Sequence, residues 1–148
     1  MGSVRRRHPL TLVHRTLPRQ RMIKRIWALR ASFAAALVVT LTMAWLPHPP
    51  SVPLNPPDKV QHVAAFLTLS LLATAAFPHA KLLRIGERLS FMGALIEVVQ
   101  NIPALHRDCD IMDWLADTIA VAVALTLVWH WRRFRERRLK FDQEALKR

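Results

Sequence analysis

Nine polar side chains, most of them ionisable, lie beside three apolar segments of the chain. They are Asp58, Lys59, His62, Glu97, Gln100, Arg107, Asp110, Asp113 and Asp117. Beside the first of these segments, Asp58 and His62 are four residues apart and therefore share one face of a helix. Beside the last segment, the spacing i, i+3, i+7 places three aspartates on a single stripe of a helix: Asp110, Asp113 and Asp117. If the three helices pack with these faces inward, the nine residues form one ligand-binding pocket.

These residue types fit more than one kind of chemistry. Glu97 and Asp113 are the candidate catalytic residues, because two carboxyl groups in different surroundings can divide the roles of acid and base. The basic members of the group could bind a phosphate or an anionic sugar; they are Lys59, His62 and Arg107. The chain has no Gly-rich phosphate loop, H-E-x-x-H motif or Walker signature, so whether it is an enzyme stays open.

Structural alternatives exist for several of these residues. Asp58 precedes Gln61 by three positions, which is the spacing of a helix cap and its box partner. His62 could be a packing histidine, Gln100 could join two helices, and Asp110 could cap the last helix. We expect no metal and no cofactor, with one weak alternative, a divalent cation held by aspartates. Its ligands would be Asp110, Asp113 and Asp117.

Four apolar runs contain or border the polar groups. The chain has 148 residues, 52% of them apolar, and the runs cover residues 26–46, 60–77, 89–105 and 111–131. About 20 helical residues cross a hydrocarbon core of roughly 30 Å. Helices of a soluble bundle carry a charged face, which the first and last runs lack. We therefore predict an all-α fold, a bundle of four transmembrane helices. Glu97 is the middle residue of the third run, which predicts a position near the bilayer centre.

The basic residues predict the orientation of this bundle. With four spans, 20 of the 22 Lys and Arg residues lie on the side that holds both termini, and two lie on the other side. The positive-inside rule then places both termini in the cytoplasm and the polar pocket on the outer face. All five tryptophans lie near the ends of the runs, as in the aromatic belt of a membrane protein.

The same charges divide the chain into three parts. Residues 1–25 form a basic cytoplasmic arm, residues 26–131 the four-helix membrane domain, and residues 132–148 a basic cytoplasmic tail. Met22 would make a good start, so it stays open whether residues 1–21 belong to the native protein. The net charge is +12, but the basic residues flank the spans instead of forming one face, which argues against nucleic acid as a partner. Membrane lipid is the expected partner, and the oligomeric state stays open.

Three blocks of the sequence together carry a family resemblance. Residues 58–62 have the sequence DKVQH, residues 93–100 GALIEVVQ, and residues 107–118 RDCDIMDWLADT. In this order they resemble the D-K-x-x-H, G-x-x-I-E-x-x-Q and R-x-x-(S/D)-x-x-D-x-x-A-(N/D)-T blocks of the VanZ-like family. The resemblance implies a small four-spanning protein of the bacterial cytoplasmic membrane. The family is named after a protein linked to low-level teicoplanin resistance, which implies a connection with the cell envelope.

The resemblance and the charge pattern point to the same pocket but supply no activity, so three hypotheses stay open. A non-enzymatic envelope protein would bind a lipid-linked glycan, a glycopeptide-type ligand or a partner at its outer face. A small membrane enzyme would act on a glycan or a polyprenyl-phosphate lipid. A structural helper would stabilise a larger complex of envelope biosynthesis.

Overall fold

A computed structural model of the chain describes residues 17–47, 50, 56–105 and 110–147. The described residues are helical apart from turns and connecting residues, and they contain no β-strand. Four long helices follow one another in these ranges: α1 (Leu17–Trp45), α2 (Asp58–Ala76), α3 (Leu82–Gln100) and α4 (Ile111–Ala145). The all-α fold predicted from the sequence is thereby confirmed.

Three of the four long helices could cross a membrane, judged by their length and apolar composition. They are α1 from Gln20 onward, α2 and α4. α3 has 19 residues, as many as α2. However, Arg84, Glu87 and Arg88 lie in its first half and Glu97 lies in its last turn. Composition alone therefore identifies three spans where the sequence analysis predicts four, and the charges of α3 account for the difference.

The helices have different limits from the apolar runs. α1 begins at Leu17 and α4 continues to Ala145, because the Arg, Gln, Glu and Lys residues beyond the runs are good helix formers. α3 covers residues 82–100, not 89–105, since the residue before a proline disfavours helical backbone and Pro103 begins a separate 3-10 helix, Pro103–Leu105. The sequence predicts that Glu97 lies at the middle of its helix. In the structure Glu97 lies in the last turn of α3, so this prediction is wrong.

One end of the bundle holds the last turns of α1 and α3 and the first turns of α2 and α4. Gln100 Nε2 donates a hydrogen bond to the carbonyl oxygen of Ala44, 3.0 Å away, and so joins α3 to α1. Lys59 in the first turn of α2 contacts Asp113 in the first turn of α4. We call this end the site end, because the predicted polar residues with described positions lie there.

Two arginines define the opposite end, which we call the arginine end. Arg30 of α1 donates through Nε to the carbonyl of Ala76 at 3.4 Å, and Arg132 of α4 donates through Nη2 to that of Thr74 at 3.1 Å. Both acceptors lie in the last turn of α2, where carbonyls lack intrahelical donors and carry partial negative charge. α1 and α3 therefore run towards the site end, whereas α2 and α4 run away from it.

An apolar core lies between the two ends. Phe66 and Leu69 of α2 and Ile96 of α3 are fully buried there. Ala120 and Val121 bring α4 against them, and the small alanine side chain allows a close approach. α1 packs against this core mainly with partly buried residues. The positions of the site residues are therefore set by α2, α3 and α4, with α1 alongside.

Candidate functional site

Lys59 connects the two helices that begin at the site end. Its ammonium group donates a hydrogen bond to Oδ1 of Asp113 at 2.8 Å and forms a salt bridge with Asp110. The Asp113 side chain is 9% exposed, whereas the side chains of Lys59 and Asp110 are 52% and 42% exposed. One cation thus serves two carboxylates, of which one lies inside the bundle and the other at its surface.

Asp110 also begins α4. Its Oδ1 accepts a hydrogen bond from the backbone N–H of Met112 at 2.9 Å, which makes Asp110 the N-cap residue. The hydrogen bond from Lys59, followed by the one from Met112, holds the pKa of the Asp110 carboxyl below its ordinary value. The capping role considered for Asp110 is confirmed. It leaves the exposed part of the carboxylate accessible to a ligand.

His62 and Asp117 form a second polar contact between α2 and α4, deeper in the bundle. His62 Nδ1 lies 3.2 Å from Oδ2 of Asp117, and both side chains are buried. When Asp117 is ionised and His62 is neutral, Oδ2 of Asp117 accepts a hydrogen bond from Nδ1–H, and Nε2 of the ring keeps its lone pair. Among the described residues, Oδ1 of Asp117 has no hydrogen-bond partner. Asp117 is therefore held at one oxygen and open to a further contact at the other.

Gly93 of α3 makes room for this contact. A Cβ atom at position 93 would lie 3.2 Å from Oδ2 of Asp117 and 3.4 Å from ring atoms of Phe66 and Trp114. The missing side chain lets α3 approach the carboxylate closely, so α3 covers the pair formed by His62 and Asp117. This packing explains why a glycine stands in an otherwise well-formed helix.

Glu97 supports the backbone where α4 begins. Its Oε2 accepts a hydrogen bond from the backbone N–H of Asp110 at 3.0 Å. Gln100, one turn later, binds the Ala44 carbonyl, so the interhelical role considered for Gln100 is confirmed. Counted as whole residues, backbone included, Glu97 and Asp113 are each 6% exposed. Burial therefore does not distinguish the two candidate catalytic residues, and a division of acid and base roles by burial gains no support.

Asp58 is the first residue of α2 and not its N-cap. The N-cap residue is Pro57, which makes no side-chain hydrogen bond. Gln61 Nε2 donates to the carbonyl of Pro56 at 3.0 Å, so the capping box considered as an alternative for Asp58 and Gln61 does not form. The rigid proline pair already sets the direction of the chain at this point. Asp58 still favours the helix, since a carboxylate in the first turn interacts well with the helix dipole.

The three aspartates of the weak metal alternative have different partners. Asp110 and Asp113 share Lys59, whereas Asp117 contacts His62. A different set of three places one possible ligand atom from each residue within 4.8 Å of the others. These are Asp58, His62 and Asp113. The possible ligand atoms that lie together thus come from α2 and α4, and not from the stripe on α4 alone.

Arg107 belongs to the predicted binding residues, but residues 106–109 lie outside the described part of the chain. Its role at the pocket therefore stays a prediction. The other eight predicted residues lie at the site end: Asp58, Lys59, His62, Glu97, Gln100, Asp110, Asp113 and Asp117.

Three further residues that the sequence did not assign to the pocket lie deeper in the bundle. Trp114 Nε1 donates to the carbonyl of Ser90 at 3.1 Å, and the hydroxyl oxygens of Ser90 and Thr118 are hydrogen-bonded at 2.8 Å. These contacts join α3 to α4 beside the stripe of aspartates. Trp114 and Thr118 are four residues apart, and that spacing alone indicates a shared helix face.

Comparison of the chain with family models, with characterised proteins and with solved structures gave no match.

Proposed function

We propose that the chain is a VanZ-like integral membrane protein that binds a cell-envelope ligand, a lipid-linked glycan or another glycan, at the site end. The observation that carries this proposal is the convergence of polar side chains from α2, α3 and α4 at one end of an apolar bundle. Ionisable groups inside a membrane protein are costly and commonly mark functional sites. The residues concerned also belong to the three blocks that resemble the VanZ-like family.

Four spans, with both termini in the cytoplasm of a bacterium, form part of the proposal. α3 runs antiparallel to α2 and α4, as its contacts with Trp114 and Asp110 require. Its 19 residues rise about 28 Å, close to the roughly 30 Å of a hydrocarbon core. The charged residues in its first half lie towards the arginine end, where long side chains can reach the headgroup layer while their stems stay in apolar surroundings. The positive-inside rule favours the cytoplasm for that end and the outer face for the site end.

The chemistry of the site end suits a ligand rich in hydroxyl groups. A sugar hydroxyl can donate to the carboxylates of Asp110 and Asp113 and can accept from the ammonium group of Lys59. Lys59 and Asp110 are about half exposed, so both remain accessible while they hold each other in place. A few convergent polar groups on apolar walls are typical of sites that orient a small ligand. A lipid-linked glycan could place its sugar at this end and its chain along the bundle.

Native mass spectrometry of the full chain in detergent tests the proposal. The probe is a polyprenyl-diphosphate lipid that carries a disaccharide, offered in competition with phosphatidylglycerol. We expect the wild-type protein to retain the glycan lipid in preference to phosphatidylglycerol. Asp113→Asn removes an acceptor that Lys59 and the sugar both use, and it should weaken retention at least tenfold, or about 1.4 kcal/mol.

The matched control is Glu87→Gln, because Glu87 is an exposed acid at the arginine end of α3. This variant should retain the glycan lipid as the wild type does. Equal binding of both lipids by the wild type, or equal losses in Asp113→Asn and Glu87→Gln, would contradict a specific site. Cleavage of the glycan lipid during incubation would instead favour the enzymatic hypothesis.

A further inference from the structure

We propose that Asp58, His62 and Asp113 form a binding site for a divalent transition-metal ion, with zinc as the best fit. One ligand atom from each of the three residues lies within 4.8 Å of the other two. The set combines two carboxylates with one imidazole and joins the first turns of α2 and α4. Catalytic zinc sites likewise have three protein ligands, drawn from imidazoles, carboxylates and thiolates, and keep a fourth position open to water.

The nature of the ligands distinguishes this ion from the commoner ones. Calcium and magnesium prefer sites made of oxygen ligands, and an imidazole shifts the preference towards zinc and its neighbours in the first transition row. The set contains no cysteine, so no thiolate takes part in binding the ion. A zinc ion lies about 2.1 Å from each ligand atom, which places ligand atoms roughly 3.4 Å apart in a tetrahedron. The three ligand atoms, now within 4.8 Å of one another, would have to move to that spacing when the ion binds.

Asp117 provides an independent observation. Its side chain is fully buried, and its Oδ2 lies 3.2 Å from Nδ1 of His62. Histidines that bind a metal generally donate their other ring N–H to a carboxylate, which fixes the tautomer and the ring orientation. With the proton on Nδ1, the lone pair of Nε2 serves the ion. Asp117 is then a positioning residue, which acts on the metal through His62.

The charges around Asp113 also agree with a bound cation. Asp110 and Asp113 share the single charge of Lys59, so two carboxylates face one ammonium group. Asp113 has two oxygens and can keep Lys59 on one while the other binds an ion. Oδ1 of Asp117, close to the same ligand His62, has no hydrogen-bond partner among the described residues. A divalent ion would supply positive charge where these contacts leave negative charge in excess.

The ion site stands apart from the proposed glycan ligand, because metal binding can be measured with no lipid present. The full chain, with any affinity tag removed, is purified in detergent and treated with a chelator. Co²⁺ is then titrated in, its visible absorption is followed, and Zn²⁺ is added in competition. We expect one Co²⁺ per chain, with the absorption of a low-coordinate site, and displacement by one Zn²⁺ but not by Mg²⁺ or Ca²⁺.

Variants separate this site from the aspartate stripe and from incidental binding. His62→Gln and Asp58→Asn should each weaken Co²⁺ binding at least tenfold, and Asp117→Asn by about 10–100-fold with an altered absorption spectrum. Asp110→Asn should weaken Co²⁺ binding much less than His62→Gln does, because Asp110 is not a ligand and Asn also caps helices. His79→Gln, at the exposed turn between α2 and α3, controls for surface histidines and should change nothing.

Two results would overturn the proposal. One is Co²⁺ affinity in His62→Gln equal to that of the wild type. The other is loss of binding in Asp110→Asn together with retention in Asp58→Asn, which would return the ion to the stripe on α4. If His62→Gln does not fold, X-ray absorption of the zinc-loaded wild type decides the matter. One imidazole with oxygen ligands supports the site, and a spectrum without imidazole excludes it.

Discussion

The Nδ1 atom of His62 lies 3.2 Å from Oδ2 of Asp117, and this contact joins α2 to α4 inside the bundle. It follows the contact between Lys59 and Asp113 by one helical turn, so the two helices are held by two polar pairs in succession. Oδ1 of Asp117 makes no hydrogen bond within the described residues. Asp117 therefore depends on His62, and the stability of the bundle should depend on this pair.

His62→Ala should lower the free energy of unfolding by about 3–5 kcal/mol, because removing one partner leaves a buried acid uncompensated. In an Asp117→Asn background the same substitution should cost less, since the charge is gone. Equilibrium unfolding of the detergent-solubilised protein in a double-mutant cycle measures the coupling between the two side chains.

The matched control is His79→Ala, at the exposed turn between α2 and α3. This change should alter the free energy of unfolding by no more than about 0.5 kcal/mol. Similar losses for His62→Ala and His79→Ala, or strictly additive losses in the cycle, would mean that the pair contributes nothing specific.

Asp110 gives the protein a pH dependence of known sign. Its pKa is lower in the folded protein than its ordinary value of 3.8, so its contribution to stability is fully present above that value. The contribution is lost as the pH falls through the folded pKa. Acidification from about pH 6 to about pH 3 should therefore lower the midpoint temperature of thermal unfolding more in the wild type than in Asp110→Asn. This variant keeps an N-cap, because asparagine also caps helices.

Asp142→Asn is a suitable control for this measurement, because it removes an exposed acid near the end of α4. The control should retain the acid sensitivity of the wild type. If Asp110→Asn has the same pH profile as the wild type and the control, the bridge from Lys59 to Asp110 does not stabilise the fold.

Helical spacing predicted which side chains share a face but not which of them pair. The i, i+4 spacing placed Asp58 and His62 on one face of α2, and the stripe placed the aspartates on one face of α4. In the structure both faces contribute to the site end. The pairing of His62 with Asp117 depends on how far α2 is shifted along α4. That offset is set by core packing around Phe66 and Ala120, and the periodicity of one helix contains no information about it.

The position of Glu97 was missed for a related reason. An apolar run includes helix and connecting residues alike, so the midpoint of the run 89–105 is not the midpoint of α3. The helix ends at Gln100, before Pro103, and Glu97 comes into reach of the backbone of Asp110. The arginine end was also beyond prediction, because bonds from Arg30 and Arg132 to backbone carbonyls leave no sequence signature.

The proposed topology predicts opposite locations for the two ends of the bundle. A periplasmic reporter fused after Ser51, between α1 and α2, should be active, and the same reporter after His79, between α2 and α3, should be inactive. A cytoplasmic reporter should give the reverse pattern, because the arginine end carries the basic flanks. Equal activity of one reporter at both positions would exclude a crossing by α2 and with it the four-span arrangement.

A start at Met22 should leave membrane insertion intact. The shortened chain keeps Lys24 and Arg25 before the first apolar run and Arg30 near its start, and we expect these charges to orient a first span. Fractionation of cells that produce the shortened chain, followed by carbonate extraction, measures insertion. Recovery in the soluble fraction would mean that the first 21 residues are required.

Two glycines of α3 should respond differently to substitution by alanine. At Gly93 a new Cβ would lie 3.2 Å from Oδ2 of Asp117, a carboxylate held by His62, and 3.4 Å from the Trp114 ring, which is held by Ser90. Neither neighbour can move without losing a hydrogen bond, so Gly93→Ala should destabilise the protein by about 1–3 kcal/mol.

Gly86→Ala is the matched substitution on the same helix. Its Cβ would meet Cδ1 of Leu125 at 3.0 Å, and the end of a leucine side chain can rotate away. Alanine is favoured over glycine in a helix by about 0.8–1.0 kcal/mol, so this variant should be close to neutral or slightly more stable than the wild type. Thermal unfolding of both variants in the same detergent compares them directly. The cost of Gly93→Ala should also shrink in an Asp117→Ala background, where the obstructing oxygen is absent. A stabilised Gly93→Ala variant, or a cost that the second substitution leaves unchanged, would refute the close approach of α3 to the carboxylate.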